Sequence, residues 1–243
     1  VDASIQVYKR EPIVFILSMA LLYVPWLVVR LVVGQGPDEV TSIASVESAI
    51  ITVLFTLVYI FSGGVTTALA SDVYLGTAPD LKRAFRRVGA RFAPLAAVMV
   101  AVGILSGLAA FLLVLPAFYV IARFCAVQQL VVLEGKNASE SFSRSSALTL
   151  GLKWHCLKTF VLMFLIVLAI NLGASLLVAL VPSNVVRETG SAVITVLVLP
   201  IIGITQTLLY YDLRIRKEGF DVEFMAAQAA TGTTAVDTPS AAL

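Results

Sequence analysis

Hydrophobic positions in this chain neither alternate at strand spacing nor form narrow helical stripes. They run on for about 20 residues at a time, the length needed to cross the hydrocarbon of a bilayer as a helix. Six such runs stand out, at residues 13–33, 49–70, 93–115, 117–133, 159–181 and 191–211. Backbone groups in hydrocarbon find no water to bond, so each run is expected to be an α-helix that satisfies its own N–H and C=O groups. The pattern predicts an all-α polytopic membrane bundle of six transmembrane helices. Pro25 interrupts the first run and Arg30 closes it, Gly63 and Gly64 fall in the second, and Pro200 falls in the sixth. Pro116 is expected to set a tight turn between the third and fourth. The first run follows Lys9 and Arg10. At about 21 residues it is long for the apolar core of a signal peptide, and it reads as a span.

The polar intervals predict elements of their own. In TAPDLKRAFRRVGARF, Leu81, Ala84, Phe85, Val88 and Phe92 share one helical face, and Lys82, Arg83, Arg86 and Arg87 share the other. Thr77, Pro79 and Asp80 form a helix start. The expectation is an amphipathic helix in the membrane interface, its apolar side among acyl chains and its cations on anionic headgroups. NASESFSRSSALTLG opens with a capping box from Asn137 to Glu140 and is less amphipathic. A short helix is expected from Asp221, after a break at Gly219. The Ala, Thr, Ser and Pro tail is expected to be disordered. Residues 1–225 thus form the membrane domain and 226–243 the tail.

Charge orients the bundle. Of the 17 Lys and Arg residues, 14 fall in intervals that alternate to one side, including Lys82, Arg83, Arg86, Arg87, Arg91, Lys136, Arg144, Lys153, Arg214, Arg216 and Lys217. The positive-inside rule makes that side cytoplasmic, with both ends of the chain on it. Tyr210 and Tyr211 are expected at headgroup level, with Arg214, Arg216 and Lys217 as anchors. Composition agrees: 59% of residues are hydrophobic and 13% charged, against about 25% charged in soluble domains.

Candidate chemistry is sparse. Arg123, about seven residues into the fourth run, is either a contact for a lipid headgroup, an anionic substrate or a partner's carboxylate, or a snorkelling or bundle-paired side chain. Arg30 is expected to snorkel, and Asn171 to make an interhelical hydrogen bond. Gly103 and Gly107 form a GxxxG on the third run, a packing surface for another helix of this chain or of a partner. Cys125 and Cys156 read as small apolar side chains. His155 is the one histidine, expected to be structural, and neither a nucleophile elbow nor a phosphate-binding loop is present. The basic interval is assigned to the membrane surface and not to nucleic acid. No catalytic residue, cofactor or metal is expected.

Four stretches, VDASIQVYKR, LPAFYVIARF, VVLEGKNASESFSRSSALTLGLKW and YYDLRIRKEGFDVE, resemble the membrane domain attached to some bacterial glycerophosphoryl diester phosphodiesterases and its stand-alone relatives. The resemblance covers nearly all of residues 1–223. It departs at Ala117, where the family usually has glycine after the proline. In that family the phosphodiesterase activity belongs to a separate soluble barrel built on histidines and metal-binding carboxylates, so the activity does not transfer to this chain. The resemblance implies a multi-pass protein of the bacterial cytoplasmic membrane. The expected role is a non-enzymatic scaffold or accessory subunit, in contact with anionic lipids and other membrane-protein subunits. The alternative is a permease-like or lipid-handling protein.

Overall fold

A computed structural model describes residues 2–33, 46–112, 114–179 and 184–219, and every regular element among them is α-helical. A short α1 (Asp2–Arg10) leads into α2 (Pro12–Val33), and α3 (Val46–Tyr74) is followed by α4 (Leu81–Ala90) and α5 (Phe92–Leu112). The pieces α6 (Val114–Arg123) and α7 (Val127–Leu133) divide one apolar run. Then come α8 (Ala138–Leu148), α9 (Lys153–Ala179) and α10 (Asn184–Glu218). Five stretches are long and apolar enough to cross a membrane: Ala49–Tyr74, Phe92–Phe111, Pro116–Leu133, Lys153–Gly173 and Ala192–Glu218. A sixth apolar stretch, Pro12–Pro25 in α2, is shorter.

The core sits around the second half of α3. Most side chains from Ile60 to Val73 are buried, among them the polar Ser62, Thr66, Thr67 and Ser71. Small side chains here let neighbouring helices approach closely. A Cβ on Gly64 would meet Leu95 Cδ2 at 2.8 Å and Val88 Cγ1 at 2.9 Å, and one on Gly203 of α10 would meet Thr66 Cγ2 at 2.7 Å. Some buried hydroxyls are satisfied within their own helices: Thr66 donates to Ser62 O at 2.9 Å and Thr207 to Gly203 O at 2.8 Å. Away from this core the same helices expose their apolar side chains. Ile50, Val53 and Leu54 of α3, Leu108 and Phe111 of α5, and Leu172 and Leu176 of α9 are examples. Faces of this kind need lipid or a partner to cover them.

Several expectations change. The apolar face of α4 is docked on the bundle, not among acyl chains. Ala84 and Val88 are buried, and Phe61 packs on Phe85 and Phe92 at centroid distances of 5.5 and 5.6 Å. The amphipathic pattern therefore records a protein contact. The last helix does not end at the tyrosine pair. It runs through Pro200, Tyr210 and Tyr211 to Glu218 and stops at Gly219, whose φ of +66° closes it. Tyr210 and Tyr211 are 1% and 3% exposed, turned into the bundle and packed among its helices. Pro116 lies in the first turn of α6, where its missing N–H breaks no helical bond. Asn171 donates to Val167 O within α9, at 2.8 Å. The expected helix from Asp221, the tail and the side chain of Arg30 lie outside the described residues.

Candidate functional site

The cation-bearing intervals converge on one end of the bundle, held there by contacts between them. Asp80 caps α4, accepting from Arg83 N at 3.1 Å, while the Arg83 guanidinium reaches Asp72 at the end of α3, 3.0 Å away. Arg91, just past α4, donates to Gly135 O at 2.6 Å, and Gly135 holds a φ of +68° that turns the chain from α7 towards α8. The capping box of α8 is formed: Asn137 Oδ1 accepts from Glu140 N at 2.9 Å and Glu140 accepts from Asn137 N at 3.1 Å.

The fourth apolar run is broken between Arg123 and Val127, and α8 covers the break. Interrupting a helix leaves carbonyl and N–H groups without intrahelical partners. Ser145 supplies both kinds of partner, donating to Arg123 O at 3.1 Å and accepting from Ala126 N at 3.3 Å. The Thr149 hydroxyl lies 3.2 Å from the same carbonyl. Ser145 and Thr149 are fully buried. The weak amphipathicity of α8 reflects this use of hydroxyls as its inward face.

Beside the break lies a charged network. Glu134, at the end of α7, accepts from Arg144 Nε of α8 at 2.7 Å and from the Tyr210 hydroxyl of α10 at 2.9 Å, with Lys136 at 3.8 Å. Arg144 also pairs with Glu218 at 2.8 Å, and Glu218 with Arg214 at 3.1 Å. Glu134, foremost, and Glu218 raise the pKa of the Arg144 guanidinium above its ordinary value, so it stays charged. Tyr211 completes the join to α3. Its hydroxyl is 2.7 Å from Ser71 Oγ and its ring stacks on Tyr74 at 4.7 Å. The stretches VVLEGKNASESFSRSSALTLGLKW and YYDLRIRKEG, far apart in the chain, therefore meet in one structural site.

Two openings adjoin this end. A groove of about 370 Å³ is lined by residues including Ser4, Tyr74, His155, Thr159, Thr205 and Asp212. In it His155 Nε2 sits 2.8 Å from Asp212, which also pairs with Arg216 at 2.9 Å. Deeper in the bundle, Tyr59, Ser62, Thr66, Gln128 and Gln206 are among the uncharged residues lining a cavity of about 50 Å³. Gln128 donates to Thr67 at 2.8 Å, whereas the amide of the fully buried Gln129 has no partner among the described residues. The described residues contain no cluster of three or more histidine, cysteine or acidic side chains placed to hold a metal.

The residues singled out in the sequence divide into two groups. Arg83, Arg91, Arg123, Arg214 and Arg216 are engaged by the protein itself. Lys82, Arg86, Arg87 and Lys217 are exposed. Gly103 and Gly107 are also exposed, and a Cβ built on either meets no side chain or other helix among the described residues within 4 Å, its chain neighbours aside. Close packing inside the chain instead uses Gly64 and Gly203. The run SGGVTTALAS, whose small residues are nearly all buried, was the available signal for the first of these. Comparison with protein-family models, curated proteins and solved structures returned no match.

Proposed function

We propose that this chain is a stand-alone membrane domain of the glycerophosphodiesterase-associated type, with α2 as a sixth span and the cation-bearing end facing the bacterial cytoplasm. It acts without catalysis, as a scaffold or accessory subunit of a larger membrane complex. The observation that carries this reading is the open Gly103–Gly107 face of α5, flanked by the exposed Ile104 and Leu108. Helices in lipid associate through close packing at small residues, because lipid tails are as apolar as leucine and supply no hydrophobic drive. A small-residue face left open among the described residues suits a helix from a partner subunit. The outward row Lys82, Arg86 and Arg87 on α4 supports contact with anionic headgroups on the same side.

The permease-like alternative has one favourable feature, the polar cavity beside Gln128. At about 50 Å³ it has room for a few waters, and Arg123 does not line it. Extraction in mild detergent followed by native mass spectrometry tests the scaffold reading. A copurifying subunit that is lost in Gly103→Leu/Gly107→Leu is the expected result. A lone monomer, with or without the substitutions, rules against it.

A further inference from the structure

The most unusual charge arrangement lies where α6 meets α9. Tyr119 of α6 presents its hydroxyl to two cations, Lys153 Nζ at 2.8 Å and Arg123 Nη1 at 3.5 Å. The Lys153 ammonium also lies over the Tyr119 ring, 4.5 Å from its centroid. Arg123 is held in place from the other side. Its Nε donates to Ser146 of α8 at 2.8 Å, and its guanidinium sits 5.6 Å from the centre of the Phe124 ring. Two positive groups from different helices thus converge on one half-exposed phenol.

Among the described residues, neither cation pairs with a carboxylate. The ion-paired carboxylates of this end, among the described residues, are taken elsewhere: Asp72 by Arg83, Glu134 by Arg144, Asp212 by His155 and Arg216, and Glu218 by Arg144 and Arg214. Two like charges drawn together near lipid, where the dielectric is low, repel each other unless an anion joins them. Among the described residues, Arg123 keeps the Nη2 donors of its fork unused, and Lys153 keeps two of its three N–H groups. Together they offer a planar fork and a point charge, the combination that suits a phosphate group. The first turn of α9, which begins at Lys153, contains no acidic residue, so the positive end of its dipole adds to the field. Around the cluster the surface is apolar and open: Phe118, Leu150 and Trp154 are exposed, Trp154 at 76%.

We propose that Arg123, Lys153, Tyr119 and Ser146 form a binding site for a phosphate ester, occupied by the headgroup of a phospholipid whose acyl chains lie along the exposed face of α9. The site does not depend on the scaffold reading, because it requires no partner subunit. The test uses the full chain in detergent and native mass spectrometry, with phosphatidylglycerol, diacylglycerol and inorganic phosphate as separate probes. The expected result is retention of phosphatidylglycerol over diacylglycerol, weakened about fivefold in Lys153→Gln and further in Arg123→Gln/Lys153→Gln. Lys9→Gln, which removes an exposed cation on α1, should leave retention unchanged. Among the described residues the Lys153 ammonium bonds to Tyr119 and to no carboxylate, so its single variant removes no ion pair that holds the fold together and reads the site. Equal retention of the two lipids, or of phosphatidylglycerol by the wild type and Lys153→Gln, overturns the proposal. Tight binding of inorganic phosphate with no preference between the lipids keeps the phosphate chemistry and overturns its assignment to a lipid.

Discussion

At the scale of single residues, glycines separate what is packed from what is open. Alanine at Gly64 or Gly203 places a methyl under 3 Å from Val88 or Thr66, both β-branched and stiff. Each substitution should cost about 1–3 kcal/mol through overpacking. Gly103→Ala and Gly107→Ala meet no neighbour among the described residues. They should leave the isolated chain unchanged or slightly more stable, since alanine favours the helix. Thermal unfolding of the four variants in one detergent checks this; equal losses at all four would refute the packing. The GxxxG spacing is visible in sequence, but the same spacing suits internal and external contacts alike. Only the neighbours across the helix decide between them.

At the scale of elements, α8 serves as a cover for a broken helix. Ser145→Ala leaves Arg123 O without this donor and Ala126 N–H without an acceptor in a buried place. A loss of about 1–3 kcal/mol is expected, together with faster hydrogen exchange confined to residues 123–149. Unchanged exchange there would show that the break does not need α8. The neighbouring network predicts a pH profile. The pKa of Arg144 is raised above its ordinary value, so its stabilisation is complete below that ordinary value and is lost only as pH climbs through the raised one. Both lie well above neutrality. The stability difference between the protein and Arg144→Gln should therefore stay constant from about pH 7 to 10; a drop in that window would mean that Arg144 acts through some other group.

At the scale of the whole molecule, the convergence of charged intervals makes a topological statement. Arg86 of α4 and Arg216 of α10 belong to the same end, which is joined by Arg91 to Gly135 and by Arg144 to Glu134 and Glu218. In a background of Cys125→Ser and Cys156→Ser, an impermeant thiol reagent should label Arg86→Cys and Arg216→Cys from the same face of the membrane. Labelling from opposite faces would dismantle the bundle as described. Much of this level was legible beforehand. The grouping of cations, the cap at Asp80 and the capping box at Asn137 were readable, because each depends on residues close in the chain. The break after Arg123 was not. The apolar run continues across it, and the serine and threonine that make it tolerable come from α8 and the residue that ends it.

The sequence by itself determined that the chain is helical, where the long apolar runs lie, and which intervals carry positive charge. Helical hydrogen bonding and transfer into lipid are local properties that add up along the chain. Only the tertiary structure decided that the apolar face of α4 meets protein, that Tyr210 and Tyr211 are buried partners of Glu134 and Ser71, and that Arg123 and Lys153 share one phenol. Those facts rest on pairs of side chains from different helices. Helical periodicity tells which residues share a face, but not what that face meets.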